Sequence, residues 1–167
     1  EKTLEYLVSE FREFTEEVST QSFTYEGYHG AFQLSNIISV FEGKEAGVSE
    51  TILLAAHWDT RPFADQDPNP ENRHLPILGA NDGASGTAVL LHLLDRFRTN
   101  RPARDLLVAF FDAEDVGDID GLRFGEGSRR FAEAPFPLVP EEVLILDMIG
   151  GRDLVLDVDA YSLSHEP

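Results

Sequence analysis

The chain has 167 residues, 42% of them hydrophobic and 10% aromatic, so it is long enough to bury the core of one domain. Asp and Glu outnumber Lys and Arg by 31 to 13, and the resulting formal net charge of −18 disfavours nucleic acids and anionic membrane surfaces as partners. No apolar run approaches the ~20 residues of a membrane-spanning helix. Cysteine is absent, which excludes disulfides, thiolate nucleophiles and Cys-ligated zinc without fixing the compartment. We interpret most of the acidic excess as solvated surface and a minority as groups that hold a cation.

The first part of the chain predicts one helix followed by a pair of strands. Apolar residues recur there at steps of three and four, which predicts an amphipathic helix over residues 2–18. β-forming residues at 21–26 and 33–42 lie on either side of Gly27 and Gly30, and this arrangement predicts two strands joined by a turn.

The rest of the chain alternates apolar runs with amphipathic segments. The apolar runs predict four further strands, at Thr51–Ala56, Leu106–Phe111, Val143–Leu146 and Leu154–Val158. Helices are predicted directly after Gly79–Gly86 and at Ser128–Ala134, and a long loop rich in Pro, Asp and Asn is predicted over Arg61–Pro76. This order favours an α/β fold, a three-layer domain with a central mixed, mainly parallel β-sheet flanked by helices.

Acidic residues and a histidine follow three of the predicted strands directly. The segments are His57-Trp58-Asp59, Asp112-Ala113-Glu114-Asp115 and Asp147. The carboxyl ends of parallel strands share one edge of a sheet, so we expect these side chains to converge there, joined by Asp82 from the turn that opens the next helix. Imidazole and carboxylates without thiolate suit a hydrolytic Zn²⁺, with Mn²⁺ or Co²⁺ as feasible substitutes. The combination therefore favours a site for one or two metal ions.

Each of these residues also has an ordinary structural interpretation. Asp82 could cap a helix, and His57 could be a hydrogen-bonded structural histidine. In the extended segment His57-x-Asp59 both side chains share one face, so Asp59 can orient the imidazole by accepting a hydrogen bond from its other nitrogen. Glu114 and Asp115 are sequence neighbours that point apart, so one can bind metal while the other acts as a base.

Other catalytic signatures are missing or out of register. The segment Gly83–Thr87 breaks the spacing of the G-x-S-x-G nucleophile elbow, and the sequence has neither a P-loop nor a dinucleotide-binding fingerprint. Asp118-Ile119-Asp120-Gly121 suggests an EF-hand loop, but the glycine register would place Val116 and Gly127 at ligand positions. A serine hydrolase, a nucleotide-binding protein and a calcium loop are therefore all disfavoured.

Four segments, taken together and in this order, resemble one known family. They are AAHWDTRPFADQDP (55–68), PILGANDGASGTAVLLHLL (76–94), VAFFDAEDVGD (108–118) and LILDMIGG (144–151). The resemblance is to the M28 family of zinc peptidases and, within it, to the glutaminyl-peptide cyclotransferase-like branch. It implies a zinc-peptidase/phosphorylase-like fold and a single M28-type catalytic domain over residues 1–167, which we expect to be truncated at both ends. It also favours an extracytoplasmic or secreted location.

The resemblance assigns a metal-binding role to four side chains. Asp82 would bridge two zinc ions, one of them bound by His57 and Asp147 and the other by Asp115. The family's peptide bond after the bridging Asp is commonly cis, which implies a cis bond between Asp82 and Gly83. The family's last metal-binding histidine lies further along the chain than these motifs, so we expect metal occupancy in these 167 residues alone to be weak or absent, which would leave them inactive. Without a cation, crowding of like charges is expected to raise the pKa values of the carboxylates.

The function implied by the resemblance is zinc-dependent chemistry at a peptide N-terminus. Glu114 would be the catalytic acid/base, and Asp59 would orient His57. The insert Val116–Glu126, which separates the acidic pair from Gly127-Ser128, resembles the cyclase branch and favours conversion of N-terminal Gln to pyroglutamate with loss of ammonia. The alternatives are a zinc aminopeptidase that hydrolyses N-terminal residues and a metal-site binding module without catalysis. The expected partner is the N-terminus of a peptide or small protein, with neither nucleic acid binding nor membrane insertion.

Overall fold

The described residues form one five-stranded β-sheet with helices on both of its faces. The computed structural model describes residues 2–15, 17–44, 51–134, 139–156 and 160–164. In chain order the elements are α1 (Lys2–Arg12), β1 (Val18–Glu26), β2 (Ala31–Phe41), β3 (Ile52–His57), α2 (Ala84–Thr99), β4 (Leu106–Phe111), α3 (Glu126–Glu133), β5 (Glu142–Ile145) and α4 (Ala160–Leu163). A turn of 3₁₀ helix, Pro70–Asn72, lies in the long loop after β3. Within the described ranges, no helix has the length and apolar character needed to cross a membrane.

The sheet is mixed, with its parallel part at the strands that carry the acidic ends. The strand order is β1-β2-β4-β3-β5; β3 is parallel to both β4 and β5, whereas β1, β2 and β4 pair in antiparallel fashion. The register places His57 beside Phe111, and the amide of Leu146 donates to the carbonyl of Ala55. Because β3, β4 and β5 end at nearly the same level, the residues that follow them meet at one edge.

Alternate residues of the strands pack against helices on opposite faces, which produces three layers. On one face Leu54, Val108 and Phe110 contact apolar side chains of α1 and α2. On the other face Leu53, Leu107 and Phe111 form a smaller core with Phe131 of α3. These continuous apolar runs are buried on both sides because each strand contributes to two cores. The predicted fold, a mixed sheet flanked by helices, is confirmed. The expectation that the sheet is mainly parallel is not, because two of its four described strand pairings are antiparallel.

Two predicted elements differ from the structure near its first helix. The helix expected over residues 2–18 ends at Arg12, because the chain then turns and Thr15 Oγ1 donates to the carbonyl of Val40 at 3.2 Å. Val18 instead begins β1, paired with Ser39 of β2. Phe14 and Val18 still pack against the core. The apolar spacing therefore predicted correctly which side chains contact the core, although the spacing extends beyond the last residue of the helix.

The two apolar runs near the end of the chain are less buried than predicted. β5 was expected to be covered on both faces, but Val143, Leu144 and Ile145 are each more than half exposed, because β5 pairs with β3 at the edge of the described sheet. The strand predicted at Leu154–Val158 is wrong for its described part, since residues 154–156 are exposed and form no strand. Residues 157 and 158 lie outside the described ranges.

Candidate metal centre

The imidazole at the end of β3 faces two carboxylates. His57 Nε2 lies 3.1 Å from Asp82 Oδ1 and 3.4 Å from Asp147 Oδ1. The His57 side chain is 5% exposed, whereas those of Asp82 and Asp147 are 42% and 53% exposed. One potential ligand atom from each residue lies within 4.8 Å of the other two. The group is therefore anchored in the core at its histidine and open to solvent at its aspartates.

The N-terminus of α2 is tied to the end of β3. Thr87 Oγ1 donates to the His57 carbonyl at 2.9 Å. A Cβ added at Gly86 would lie 2.2 Å from the carbonyl oxygen of Leu146, so only glycine permits this approach of α2 to the segment after β5. Asp82 is held beside His57 because the helix that follows it is packed directly against both strand ends.

A pair of polar side chains links the loops that carry the two aspartates. Asn81 Oδ1 accepts a hydrogen bond from the Gly150 amide at 2.7 Å, and Ser85 Oγ accepts one from the Ile149 amide at 3.0 Å. The loop after Asp147 is thereby fixed to the turn that contains Asp82. This link was not anticipated from the sequence, where Asn81 and Ser85 occur as ordinary residues of a turn and a helix start.

The peptide bond between Asp82 and Gly83 is trans, which corrects the expectation of a cis bond, and the described residues contain no cis peptide at all. The sharp turn is made instead by Gly83 itself, whose φ is +90°. A Cβ at this position would lie 2.4 Å from the Asp59 carbonyl oxygen. Glycine supplies both the left-handed backbone and the close approach.

Asp59 connects His57 with the acidic pair. Its Oδ1 accepts a hydrogen bond from the Glu114 amide at 3.0 Å, and its Oδ2 accepts one from the Asp115 amide at 3.1 Å. Oδ1 also lies 3.5 Å from His57 Nδ1, on the opposite side of the ring from Asp82. One carboxylate thus lies beside the imidazole and also accepts hydrogen bonds from the backbone from which Glu114 and Asp115 project.

The surroundings of His57 fit a divalent cation. Both ring nitrogens are buried and make no hydrogen bond to the described residues. Burial alone lowers the pKa of His57, but the adjacent Asp59 carboxylate and the charges of Asp147 and Asp115 outweigh it and raise the pKa to about 9. A site that binds a proton this strongly attracts positive charge, and an imidazole with carboxylates is a ligand set that zinc uses.

The acidic pair lies next to the same group of side chains. Burial raises the pKa of Glu114, and the neighbouring carboxylates add to the effect while His57 opposes it. Burial together with the nearby charge of Asp82 raises the pKa of Asp115 to about 6. The raised pKa values were expected, but burial rather than repulsion between like charges is the largest cause for both residues. Asp115 thus lies close to Asp82.

Comparison with known proteins identifies the family to which this geometry belongs. The model of peptidase family M28 matches residues 36–166. The chain belongs to peptidase family M28. That match includes all four motifs named from the sequence, so the resemblance is confirmed at the level of the family.

Solved structures of M28-like enzymes share the fold. A glutaminyl cyclase of Bacteroides thetaiotaomicron is 33% identical, with a TM-score of 0.82, over 96% of this chain and 57% of that one. A Zn-dependent exopeptidase of Parabacteroides distasonis is 34% identical (TM-score 0.77), over 89% of this chain and 53% of the other. A leucine aminopeptidase precursor of B. thetaiotaomicron is 33% identical (TM-score 0.78), over 89% and 54%. The chain spans about half the length of these solved structures.

The M28 membership supports a metallopeptidase-type enzyme, and zinc is the metal named for one of these relatives. The structure brings His57, Asp82 and Asp147 of this M28 chain into one group, with Asp115 and Glu114 beside it. Sequence reasoning gave no role to Arg61, although it lies in the segment AAHWDTRPFADQDP (55–68); its side chain donates to Asp65 and to the main-chain carbonyl of Asp115.

Proposed function

We propose that the protein is a zinc-dependent enzyme of the glutaminyl cyclase type, which converts the N-terminal Gln of a peptide into pyroglutamate and releases ammonia. The observation that carries this proposal is the position of the insert between the acidic pair and α3. Phe124 of the insert and Asp115 line the same cavity of about 600 Å³. An insert that forms a wall beside Asp115 favours a small first side chain over a long extended peptide.

The metal would be held by the side chains that meet at the carboxyl edge of the sheet. His57 and Asp147 would bind one zinc ion, Asp82 would bridge, and Asp115 would bind a second. Bound zinc would supply a Lewis acid that polarises the γ-amide carbonyl of the substrate. Asp59 would keep the imidazole in the orientation in which Nε2 faces Asp82 and Asp147.

Glu114 would move the proton in the reaction. Its carboxylate takes a proton from the α-amine as that nitrogen attacks the γ-carbonyl carbon. It then returns the proton to the amide nitrogen, so the carbon–nitrogen bond breaks and ammonia leaves. Burial raises the pKa of Glu114, which brings the carboxylate closer to the range in which it can both accept and donate a proton. The two hydrogen bonds that Asp59 accepts from the main-chain amides of Glu114 and Asp115 hold the backbone of this pair in place.

A zinc aminopeptidase is the second candidate. The similarity to a Zn-dependent exopeptidase and to a leucine aminopeptidase precursor favours it. In that reaction Glu114 would take the proton of a water molecule and pass it to the leaving amine. A third possibility, a metal-site binding module without catalysis, would keep the ligand group but require no proton transfer by Glu114.

The deciding experiment compares two substrates on the full-length gene product. Release of ammonia from a peptide with N-terminal Gln, with negligible cleavage of Leu-anilide, supports the cyclase, and the reverse pattern supports the aminopeptidase. Glu114→Gln should lower either turnover by at least about a hundredfold, in line with the loss of a general acid–base. The matched control is Glu71→Gln, at an exposed residue of the long loop, which should leave turnover unchanged. Absence of both activities in the zinc-loaded wild type would favour the binding module.

A further inference from the structure

The side chain of Arg61 joins three segments beside the acidic pair. Its Nε and Nη2 donate to the two carboxylate oxygens of Asp65, each at 2.6 Å. Its Nη1 donates to the main-chain carbonyls of Asp115 at 2.8 Å and Gly117 at 3.0 Å. The guanidinium carbon lies 5.8 Å from the ring centre of Phe124. One side chain thus contacts the long loop after β3, the acidic pair and the insert.

The geometry of these contacts requires arginine. The planar guanidinium presents a bidentate pair of donors to Asp65 and keeps a third nitrogen directed at two carbonyls. A lysine ammonium has the same charge but cannot donate to the Asp65 carboxylate and to the two main-chain carbonyls at the same time. The Arg61 side chain is 12% exposed and that of Asp65 is 33% exposed, so water reaches part of this arrangement, but replacement of Arg61 would still remove the donor to two main-chain carbonyls.

The insert depends on contacts from outside itself. Asp118 and Asp120 have φ values of 62° and 52°, in the left-handed region that glycine occupies readily and that aspartate and asparagine occupy occasionally. At the tip of the insert, Asp120 Oδ1 accepts a hydrogen bond from the His29 amide at 2.9 Å, which fixes it to the turn between β1 and β2. At its base, where the chain leaves Asp115, the corresponding contacts come from Arg61.

We infer that Arg61 is a positioning residue. It fixes the direction of the Asp115 carboxylate and the part of the insert that forms one wall of the cavity lined by Asp115 and Phe124. The contacts that define this role are to main-chain carbonyls, Asp65 and Phe124, so Arg61 acts on the site through the backbone. This inference rests on the proposed function in taking Asp115 as a metal ligand. Its first consequence, order at the base of the insert, holds whether or not metal is bound.

Amide hydrogen exchange on this chain without metal tests the first consequence. The Asp118 amide donates to the Leu122 carbonyl at the base of the insert, and the Gly125 amide donates to the Glu114 carbonyl. In Arg61→Lys and Arg61→Met we expect both amides to exchange at least tenfold faster, whereas the amide of Val108 in β4 keeps its rate. Arg61→Lys preserves the charge and the aliphatic stem, so it carries the comparison even if Arg61→Met does not fold.

The matched control is Arg73→Lys, because Arg73 Nε also donates to a main-chain carbonyl of the long loop, that of Asp67 at 2.8 Å, but is exposed. It should leave all three amides unchanged. If amide exchange in Arg61→Lys is accelerated equally in the insert and at Val108, Arg61 contributes only to global stability. If exchange in the insert keeps its wild-type rate, Arg61 does not stabilise the insert. Either result overturns the inference.

Zinc titration of the same substitutions in the full-length gene product tests the second consequence. Positioning residues behind metal ligands typically contribute 10–100-fold to affinity. We therefore expect about tenfold weaker zinc binding in Arg61→Lys and wild-type affinity in Arg73→Lys. Equal affinities in Arg61→Lys and the wild type would overturn the link to Asp115. A wild-type full-length protein that binds no zinc would instead contradict the metal in the proposed function, while hydrogen exchange would still decide the role of Arg61.

Discussion

Removal of the Asp59 carboxylate should weaken both the fold and the metal centre, because this group serves two elements at once. In Asp59→Ala the amides of Glu114 and Asp115 lose their acceptor. Each hydrogen bond to a charged group contributes about 1.5–3 kcal/mol, and water at this edge of the sheet will recover part of the loss. We expect the free energy of unfolding to fall by about 3 kcal/mol. Asp59→Asn keeps one acceptor oxygen and turns an amide group toward the other N–H, so it should lose about half as much.

The same substitutions should weaken zinc binding through His57, since the carboxylate 3.5 Å from Nδ1 orients the ring. A loss of 10–100-fold corresponds to about 1.4–2.8 kcal/mol of binding free energy. Urea unfolding followed by circular dichroism gives the stability term, and zinc titration at constant pH gives the affinity.

Asp105 provides the control for these measurements. Its Oδ1 accepts a hydrogen bond from the Gly43 amide at 2.8 Å. Asp105 directly precedes β4, so it lies at the amino end of that strand, away from the carboxyl ends that carry the metal centre. Asp105→Asn removes the same charge, and Asp105→Ala removes one acceptor, but neither should change zinc affinity. If Asp59→Asn and Asp105→Asn bind zinc equally well, or if Asp59→Ala is no less stable than Asp105→Ala, the double role assigned to Asp59 is wrong.

Three further substitutions follow from the same structure. Gly83→Ala places a Cβ 2.4 Å from a carbonyl oxygen at a backbone φ of +90° and should lower the free energy of unfolding in urea by about 2–4 kcal/mol. The control Gly151→Ala, whose Cβ meets nothing within 4 Å, should leave it unchanged, and comparable losses in the two variants would contradict the prediction. Ser85→Ala removes the acceptor for the Ile149 amide and should cost about 1–2 kcal/mol and weaken zinc binding, while Ser9→Ala, at an exposed hydroxyl of α1, changes neither. Burial raises the pKa of Asp112 to about 6, so its contribution to the free energy of unfolding is present below pH ~4 and is lost as the pH rises through the folded pKa, a change of about 3 kcal/mol. Between pH 4 and 7 the Asp112→Asn variant should therefore lose less stability than the wild type. Parallel stability profiles of the two proteins against pH would refute this assignment.

The strands that carry the site could be predicted from the sequence because their apolar runs are continuous. Leu106–Phe111 has the predicted bounds, and β3 differs from its prediction by one residue at each end. The meeting of His57, Asp82 and Asp147 also followed from the sequence, since the carboxyl ends of parallel strands share an edge whatever the details of packing. The limits of α1 did not, because an apolar spacing of three and four records which residues are buried and not where the helix stops.

Contacts between distant segments were decided by the tertiary structure alone. β5 is apolar like β3 and β4, yet its side chains are exposed, because hydropathy along a strand does not tell whether that strand lies inside the sheet or at its edge. The hydrogen bonds of Asp59 to the acidic pair and of Arg61 to the insert each join residues more than fifty positions apart. No sequence spacing marks such pairs, since their partners are backbone groups that every residue carries and only the folded chain brings them together.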